Sequence, residues 1–386
     1  MVSQPNLARD LQGFALDVSD ISATLGAVDW NFSSRKRLSE LENIHPYPAK
    51  FIPEIPGTLL DILPIPSNTA VLDPFVGSGT TLIECQKRGI RSVGIDLNPI
   101  ACLISQIKTS PAPRHVEKAL KEVLSYAKLM PDIELPDIPN LDHWFKRPIS
   151  EAVERILSGI EAIRPPSEDL LRLALSSILV RISNQESDTR YAAVVKDVQP
   201  SDVYELFASA ARKLDRAVQA RDYHCTSSII LERDTLSVKP SEIGCPIGAV
   251  ITSPPYPNAY EYWLYHKYRM WWLGYDPVAV KSKEIGARAH FFKANHHTAD
   301  HFVEQMRGSF ALIADVLVAG GFVCFVVGRS KIHGTIVDNA QIIQDIGHEF
   351  DFRTVFRTER MIAASRKTFN LSHANIKTET LLVLSR

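Results

Sequence analysis

From about residue 45 onward, the chain is punctuated by short apolar runs that end on an acid, a glycine or a proline. Ala70-Val-Leu-Asp73 reads as a short buried strand, and Gly79 to Gly89 as a helix stopped by a glycine cap. Arg91-Ser-Val-Gly-Ile-Asp96 reads as a second strand, and Asn98-Pro99 opens a further helix with the proline just inside its start. Strand, glycine turn, helix, strand is a βαβ unit, so the two strands are expected to lie parallel. The helix amino terminus then faces the strand ends, where ligands bind in open α/β sheets.

Helical periodicity follows. Segments 115–130, 150–163, 167–184 and 200–221 carry apolar residues at three-to-four spacing, as at Leu170, Leu171, Leu173, Leu175 and Ile178. Proline-rich breaks at 131–139 and 164–166 separate them. This reads as an inserted helical subdomain. Strand signals resume at Ser228–Leu231, Ala249–Thr252 and Phe322–Val327, followed by a helix near 336–349. The end reads as an antiparallel pair, Phe352–Met361 and Thr380–Leu384, flanking a long polar loop. The expected division is an arm at 1–44, a cofactor-binding part at 45–110, the helical insertion at 111–225 and a catalytic part at 226–386.

Composition narrows the class. A chain of 386 residues that is 45% hydrophobic can bury a large core. Its five cysteines are scattered without a Cys-x-x-Cys pair, which argues against a zinc site or a disulfide scaffold and suits a reducing cytosol. There is no basic-apolar leader and no apolar run near the roughly 20 residues that span a bilayer. A soluble, cytoplasmic protein is expected. Net charge is −1, so any phosphate-binding surface must be a local patch.

Two motifs carry chemistry. In Asp73-Pro-Phe75-Val-Gly77-Ser-Gly79-Thr80-Thr81 the glycines sit between strand and helix, and Asp96 ends the next strand. That spacing lets a carboxylate take both hydroxyls of a ribose while the glycines admit the rest of a nucleotide. The third glycine of a dinucleotide fingerprint is missing, as is the Gly-Lys-Ser/Thr of a phosphate loop, so an adenosyl ligand without phosphates fits better. Asp73, facing the same crevice, favours a cationic ligand, although a helix N-capping role also suits it. Asp234, after Ile229-Ile-Leu231, can accept a hydrogen bond from an adenine amino group.

Thr252-Ser253-Pro254-Pro255-Tyr256 follows the apolar run Ala249-Val-Ile251 and so caps another strand. Consecutive prolines fix φ and leave carbonyls without competing amide donors. The Ser253 hydroxyl and the Pro254 carbonyl can then accept both hydrogens of an exocyclic amino group. Tyr256 offers a flat face to an extruded base. Attack at cytosine C5 would need a thiolate, usually in a Pro-Cys dipeptide, and no cysteine here follows a proline. His290, His296 and His297 lack carboxylates at ligand spacing, so no metal is expected.

These motifs resemble those of the S-adenosylmethionine-dependent DNA amino-methyltransferases, the N4-cytosine/N6-adenine family of restriction–modification systems. His45-Pro-Tyr-Pro-Ala-Lys50-Phe51-Ile-Pro53 is similar to the family's motif around the methionine end of the cofactor. Asp73–Thr81 resembles the cofactor loop, Gly94-Ile-Asp96-Leu-Asn98-Pro99 the ribose-binding motif, and Asp234 the adenine contact. Ser253-Pro-Pro-Tyr256 has the form typical of the N4-cytosine enzymes. The resemblance implies a Rossmann-like class I methyltransferase, an α/β fold with a seven-stranded mixed sheet. It also implies S-adenosyl-L-methionine as cofactor, double-stranded DNA as substrate and a restriction endonuclease as a possible cognate partner. The segment between the two motif groups would recognise the target. Its polar stretch Arg181–Tyr191 follows a helix as a turn that would border the site, or else as a solvated loop.

Two basic clusters compete for phosphate contacts: Lys281, Lys283, Arg288 and Lys293 after the aromatic Tyr260–Trp272 helix, and Arg357, Arg360, Arg366 and Lys367 at the final hairpin. Such clusters are usually solvated surface, but both are expected on the strand-end side of the sheet near the pocket, so phosphate contacts are favoured. The expected activity is cytosine-N4 methylation of DNA. Its alternatives are adenine-N6 methylation of DNA, guanine-N2 methylation of RNA, and a non-catalytic nucleic-acid-binding relic.

Overall fold

A computed structural model describes residues 18–33, 39–164, 167–188, 190–257, 260–291, 296–362 and 378–386. Helices α1 (Val18–Gly26) and α2 (Glu54–Ile62) precede the first βαβ unit: β1 (Ala70–Asp73), α3 (Thr80–Lys87) and β2 (Arg91–Asp96). Helices α4 (Pro99–Thr109), α5 (Val116–Leu129), α6 (Leu141–Trp144), α7 (Arg147–Ile163) and α8 (Glu168–Ile182) follow. Strands β3 (Gln185–Ser187) and β4 (Arg190–Ala193) form an antiparallel ribbon before α9 (Pro200–Gln219). Next come β5 (Ser228–Glu232), α10 (Pro240–Ile243), β6 (Ile247–Thr252), α11 (Tyr262–Trp272), α12 (Pro277–Lys283), α13 (Arg288–Phe291) and α14 (Ala299–Val316). The chain closes with β7 (Leu317–Gly328), the hairpin β8 (Ser330–Ile332) and β9 (Thr335–Val337), α15 (Asn339–Glu349), β10 (Arg353–Met361) and β11 (Thr378–Ser385).

Seven strands make one mixed sheet in the order β10-β11-β7-β6-β1-β2-β5. Strands β7, β6, β1, β2 and β5 pair in parallel, and β11 runs antiparallel between β7 and β10. The expected α/β class, parallel βαβ start and antiparallel final hairpin are all present. The central parallel strands β1, β2 and β6 are buried on both faces, which is why they read as unbroken apolar runs, whereas the edge strand β5 is partly exposed. Leu72, Val250 and Phe325 pack with Phe310 of α14 and Ile343 of α15 on one face. Val71, Ile251 and Cys324 pack with Ile55 of α2 and Cys85 of α3 on the other.

A third core joins α4, α5, α7, α8 and α9. Trp263, Tyr268, Met270 and Trp272 of α11 are buried in the same core, so the helix after the Ser-Pro-Pro-Tyr motif is packed against the insertion. The side chains of α11 thus join the helix that follows β6 to the helices between β2 and β5. Near the amino terminus, Ile21, Leu25 and Trp30 are buried with the sheet core.

Two local readings need correction. The stretch 181–191 is the end of α8 and part of the β3–β4 ribbon, not a plain turn, because Gln185 pairs with Ala193 and Ser187 with Arg190 across it. The β8–β9 hairpin was absent from the expected elements, because three-residue strands are too short to show a period.

Candidate active site

Parallel strands place Asp73, Asp96 and Thr252 together at their carboxyl ends, since Asp73 is level with Gly94 and Leu72 with Val250. One cavity opens there. It is lined by Lys50, Phe51, Asp73, Phe75, Gly77, Thr80, Asp96, Asn98, Asp234, Ser253 and Pro255 among the residues expected from the sequence. Tyr47, Tyr262, Lys283 and Glu284 complete its wall.

The turn after β1 is built by left-handed glycines. Gly77 has φ +50° and Gly79 φ +80°, conformations that cost a residue with a Cβ about 1–2 kcal/mol. A Cβ on Gly77 would meet the Tyr47 hydroxyl at 3.2 Å, so the glycine also lets that ring close over the turn. Ser105 Oγ donates to the Gly77 carbonyl at 2.9 Å, and Lys108 Nζ to the Ser78 carbonyl at 2.9 Å. These bonds hold the loop's carbonyls from behind, while its Val76, Gly77 and Gly79 amides donate to Ile95, Asp96 and Val76.

Asp96 accepts from the Gly77 amide at 2.8 Å and from the Asn98 amide at 2.8 Å, one on each carboxylate oxygen. Each oxygen keeps a second lone pair, and the cavity is where those lone pairs can be used. Asn98 caps α4 by accepting from Ile100, and Pro99 sits at the first turn as expected. Asp73 accepts from Thr252 Oγ1 at 2.6 Å and from the Phe75 amide at 3.2 Å. Burial pushes Asp73 and Asp96 up to about 6 each, against the hydrogen bonds that pull them down. Asp234 lines the cavity and caps the turn at Thr235–Ser237.

Ser253 directly follows β6 and lies on the cavity wall. Its hydroxyl donates to the Val326 carbonyl of β7 at 2.9 Å, which commits the proton and leaves the oxygen as an acceptor. Pro254 and Tyr256 are outside this wall, and Tyr256 packs against the sheet core. Gly79 and Thr81 are also outside it. Gly79 is pressed on Ser105, and Thr81 bonds the Ile251 carbonyl at 3.3 Å, so both shape the turn from behind.

Several wall residues, Tyr47, Tyr262 and Glu284 among them, had no place among the expected site residues. Tyr47 and Tyr262 stack with ring centroids 5.7 Å apart. Glu284, 7% exposed, accepts from the Tyr262 and Trp263 amides at 2.9 and 2.7 Å and so caps α11. Burial raises its carboxyl to about 8. Tyr47 was within reach of the sequence, since it stands inside the quoted His45–Pro53 motif. Glu284 was not, because a lone acid in a basic stretch signals nothing by itself.

The expected DNA contacts divide. Lys283 lines the cofactor cavity, and Lys281 Nζ lies over the Trp263 ring, 4.5 Å from its centroid. Arg288 is exposed at the start of α13. Arg357 is tied to Asp338 at 3.1 Å, Gln341 and Gln344. Arg360 must be withdrawn as a phosphate contact. It is 3% exposed, pairs with Glu379 and donates to the Trp30 carbonyl at 2.9 Å. Lys293, Arg366 and Lys367 lie outside the described residues. Among the described residues no cluster of three or more ligand-type side chains could hold a metal.

Parts of the chain are similar in sequence to known proteins. Residues 18–106 match the N6/N4 methyltransferase family model, described as DNA methylase. Over these residues the chain is similar to that family. It is 36% identical over 107 residues to the type II methyltransferase M.MjaII of Methanocaldococcus jannaschii, covering 26% of this chain and 20% of that protein. It is 24% identical over 236 residues to M.MvaI of Kocuria varians, covering 55% and 52%. Against M.BsoBI of Geobacillus stearothermophilus it is 22% identical over 282 residues, covering 61% and 53%. The matches thus span from a fifth to about half of the relatives' own length.

S-adenosylmethionine is the cofactor that the methylase match implies, and the residues lining the cavity fit it. Three carboxylates, Asp73, Asp96 and Asp234, line the cavity with two lysines, and burial holds the Glu284 carboxyl beside them protonated at neutral pH. One of those lysines, Lys50, is turned to the Glu42 and His45 carbonyls at 2.8 and 3.1 Å. That surplus of acid suits a ligand with an ammonium, a sulfonium and ribose hydroxyls. Among the described residues no helix is long and apolar enough to cross a membrane.

Proposed function

We propose that this chain methylates the exocyclic N4 of cytosine in duplex DNA, as the modification enzyme of a restriction–modification system. The observation that carries the reading is Ser253, an acceptor-only hydroxyl on the wall of a cofactor cavity at the end of a central strand. When bound, S-adenosylmethionine supplies an electrophilic methyl on a positively charged sulfur.

The chain's own residues do the rest. Asp96 receives the ribose hydroxyls, Asp234 the adenine amino group, and Asp73 favours the cationic end. Ser253 Oγ and the Pro254 carbonyl accept the two hydrogens of the target amino group, which turns its lone pair out of ring conjugation. Held this way, the nitrogen lone pair would face the methyl that a bound cofactor supplies. A serine is too weak a base to take the proton beforehand, so the proton leaves after transfer. Tyr256 supports the extruded ring by stacking, in a pocket apart from the cofactor. Phosphate contacts come from Lys281, Lys283 and Arg288, with a cognate endonuclease cutting unmodified DNA of the same sequence.

Nucleoside mass spectrometry of DNA and RNA treated with protein and labelled cofactor tests the reading. N4-methylcytosine in DNA is expected. N6-methyladenine as the sole product would keep the chemistry and change the base, and label only in RNA would end the DNA assignment.

A further inference from the structure

Beside the cofactor cavity runs a second groove, between the loop around His45–Lys50 and the helices α8 and α9. Tyr47 and Lys50 line both, so groove and cavity share a wall. Arg181, from the last turn of α8, and Lys213 of α9 line the groove, and both side chains are exposed. None of its lining residues is acidic, although acids equal bases to within one over the chain. Among the described residues, neither Arg181 nor Lys213 has an ion-pair partner. The positive side chains are therefore not neutralised from within. Lys50 responds to the same crowding, for burial first and then the Lys213 charge lower it to about 8, against the pull of Glu42.

The groove meets a second one at Ser209 of α9, where Lys128 and Arg216 carry the basic lining onward past a single acid, Glu205. From Tyr204 to Arg216 the helix covers about 18 Å at 1.5 Å per residue. That is the length of about five nucleotide steps at roughly 3.4 Å each. A small anion would need one point of charge. A track of this length beside a transfer site matches a polyanion.

We propose that this groove seats the sugar–phosphate backbone of DNA next to the cofactor cavity, with Arg181 and Lys213 as phosphate contacts. The proposal rests on the DNA-methylating reading above, and it moves the main phosphate contacts from the 281–293 segment to the helical subdomain. It also gives the polar end of α8 its role. Phosphate contacts carry no sequence information, so these residues hold the duplex in register while other side chains read it.

The test is fluorescence anisotropy with labelled duplex DNA across a salt series, on the full chain and on Arg181→Ala/Lys213→Ala. Loss of two contacts should lower the slope of log affinity against log salt by about two, with cofactor affinity by calorimetry unchanged. Removing the same charge at Lys118→Ala/Lys121→Ala, on the exposed face of α5, should leave the slope alone. Arg181→Gln/Lys213→Gln serves as a second version that keeps polar side chains at the surface. A parental slope in both groove variants overturns the proposal when the parent protein methylates DNA. Should the parent leave DNA unmethylated, the functional reading itself fails and the proposal with it. Selective loss of RNA binding in the groove variants would likewise overturn the DNA assignment.

Discussion

The amide of Gly77 donates to the Asp96 carboxylate at 2.8 Å, across nineteen residues of chain. This bond ties the glycine turn after β1 to the end of β2 and fixes the carboxylate at the cavity mouth. Turn and acid are thus one unit: a change at either moves the other. Gly94, in between, explains the closeness, because a Cβ there would come within 2.7 Å of Val76.

Asp96→Ala should weaken S-adenosylmethionine binding by about 1.5–3 kcal/mol for each charge-assisted bond lost. Gly77→Ala should weaken it too, by forcing a Cβ into a left-handed φ and onto Tyr47. Calorimetry on the folded variants checks both. Unchanged affinity in Asp96→Ala would remove the ribose assignment.

Acid should loosen the cofactor's hold. Burial places Asp73 and Asp96 at about 6, above the usual carboxylate range near 4. The folded, ligand-free protein therefore binds more protons than the unfolded chain between those values, so its stability falls as pH rises from about 4 to about 6. Each group accounts for about 3 kcal/mol of that fall, to order of magnitude. Cofactor affinity should move the opposite way and rise through the same window, because the anionic carboxylates favour the cationic ligand. Urea midpoints and calorimetric titrations at pH 4.5, 5.5 and 7 follow the two trends. Asp96→Asn should flatten each.

Ser253→Ala should lower turnover about 10- to 100-fold while leaving cofactor affinity nearly intact, as one amino-group acceptor is worth about 1–3 kcal/mol in the transition state. Single-turnover kinetics with labelled cofactor read this directly. A variant with parental turnover would take Ser253 out of the mechanism.

Arg360→Ala should unfold the protein more easily and leave DNA binding alone. It leaves the partly buried Glu379 without its partner and frees the Trp30 carbonyl, a loss of about 3 kcal/mol. Chemical denaturation should show the loss, and the salt slope of DNA binding should be that of the parent. A stable variant with a flatter slope would restore Arg360 to the DNA surface.

Much of the catalytic sheet was determined by the sequence alone. Parallel strands buried on both faces appear as apolar runs, and their ends carry the punctuation: Asp73, Asp96, Thr252. Within a run the backbone period is regular, so position in the run gives position at the cavity. Side-chain commitment was decided only in three dimensions. Arg360 and Arg357 look alike in sequence, yet one is buried against Glu379 and the other paired at the surface to Asp338. Glu284 reaches the cavity because α11 packs into the core of the helical insertion, a contact between segments far apart in the chain. The charged groove between His45–Lys50 and α8–α9 exists for the same reason. Local pattern encodes which residues are buried in an element, whereas which charges meet is set by long-range packing that no period in the sequence records.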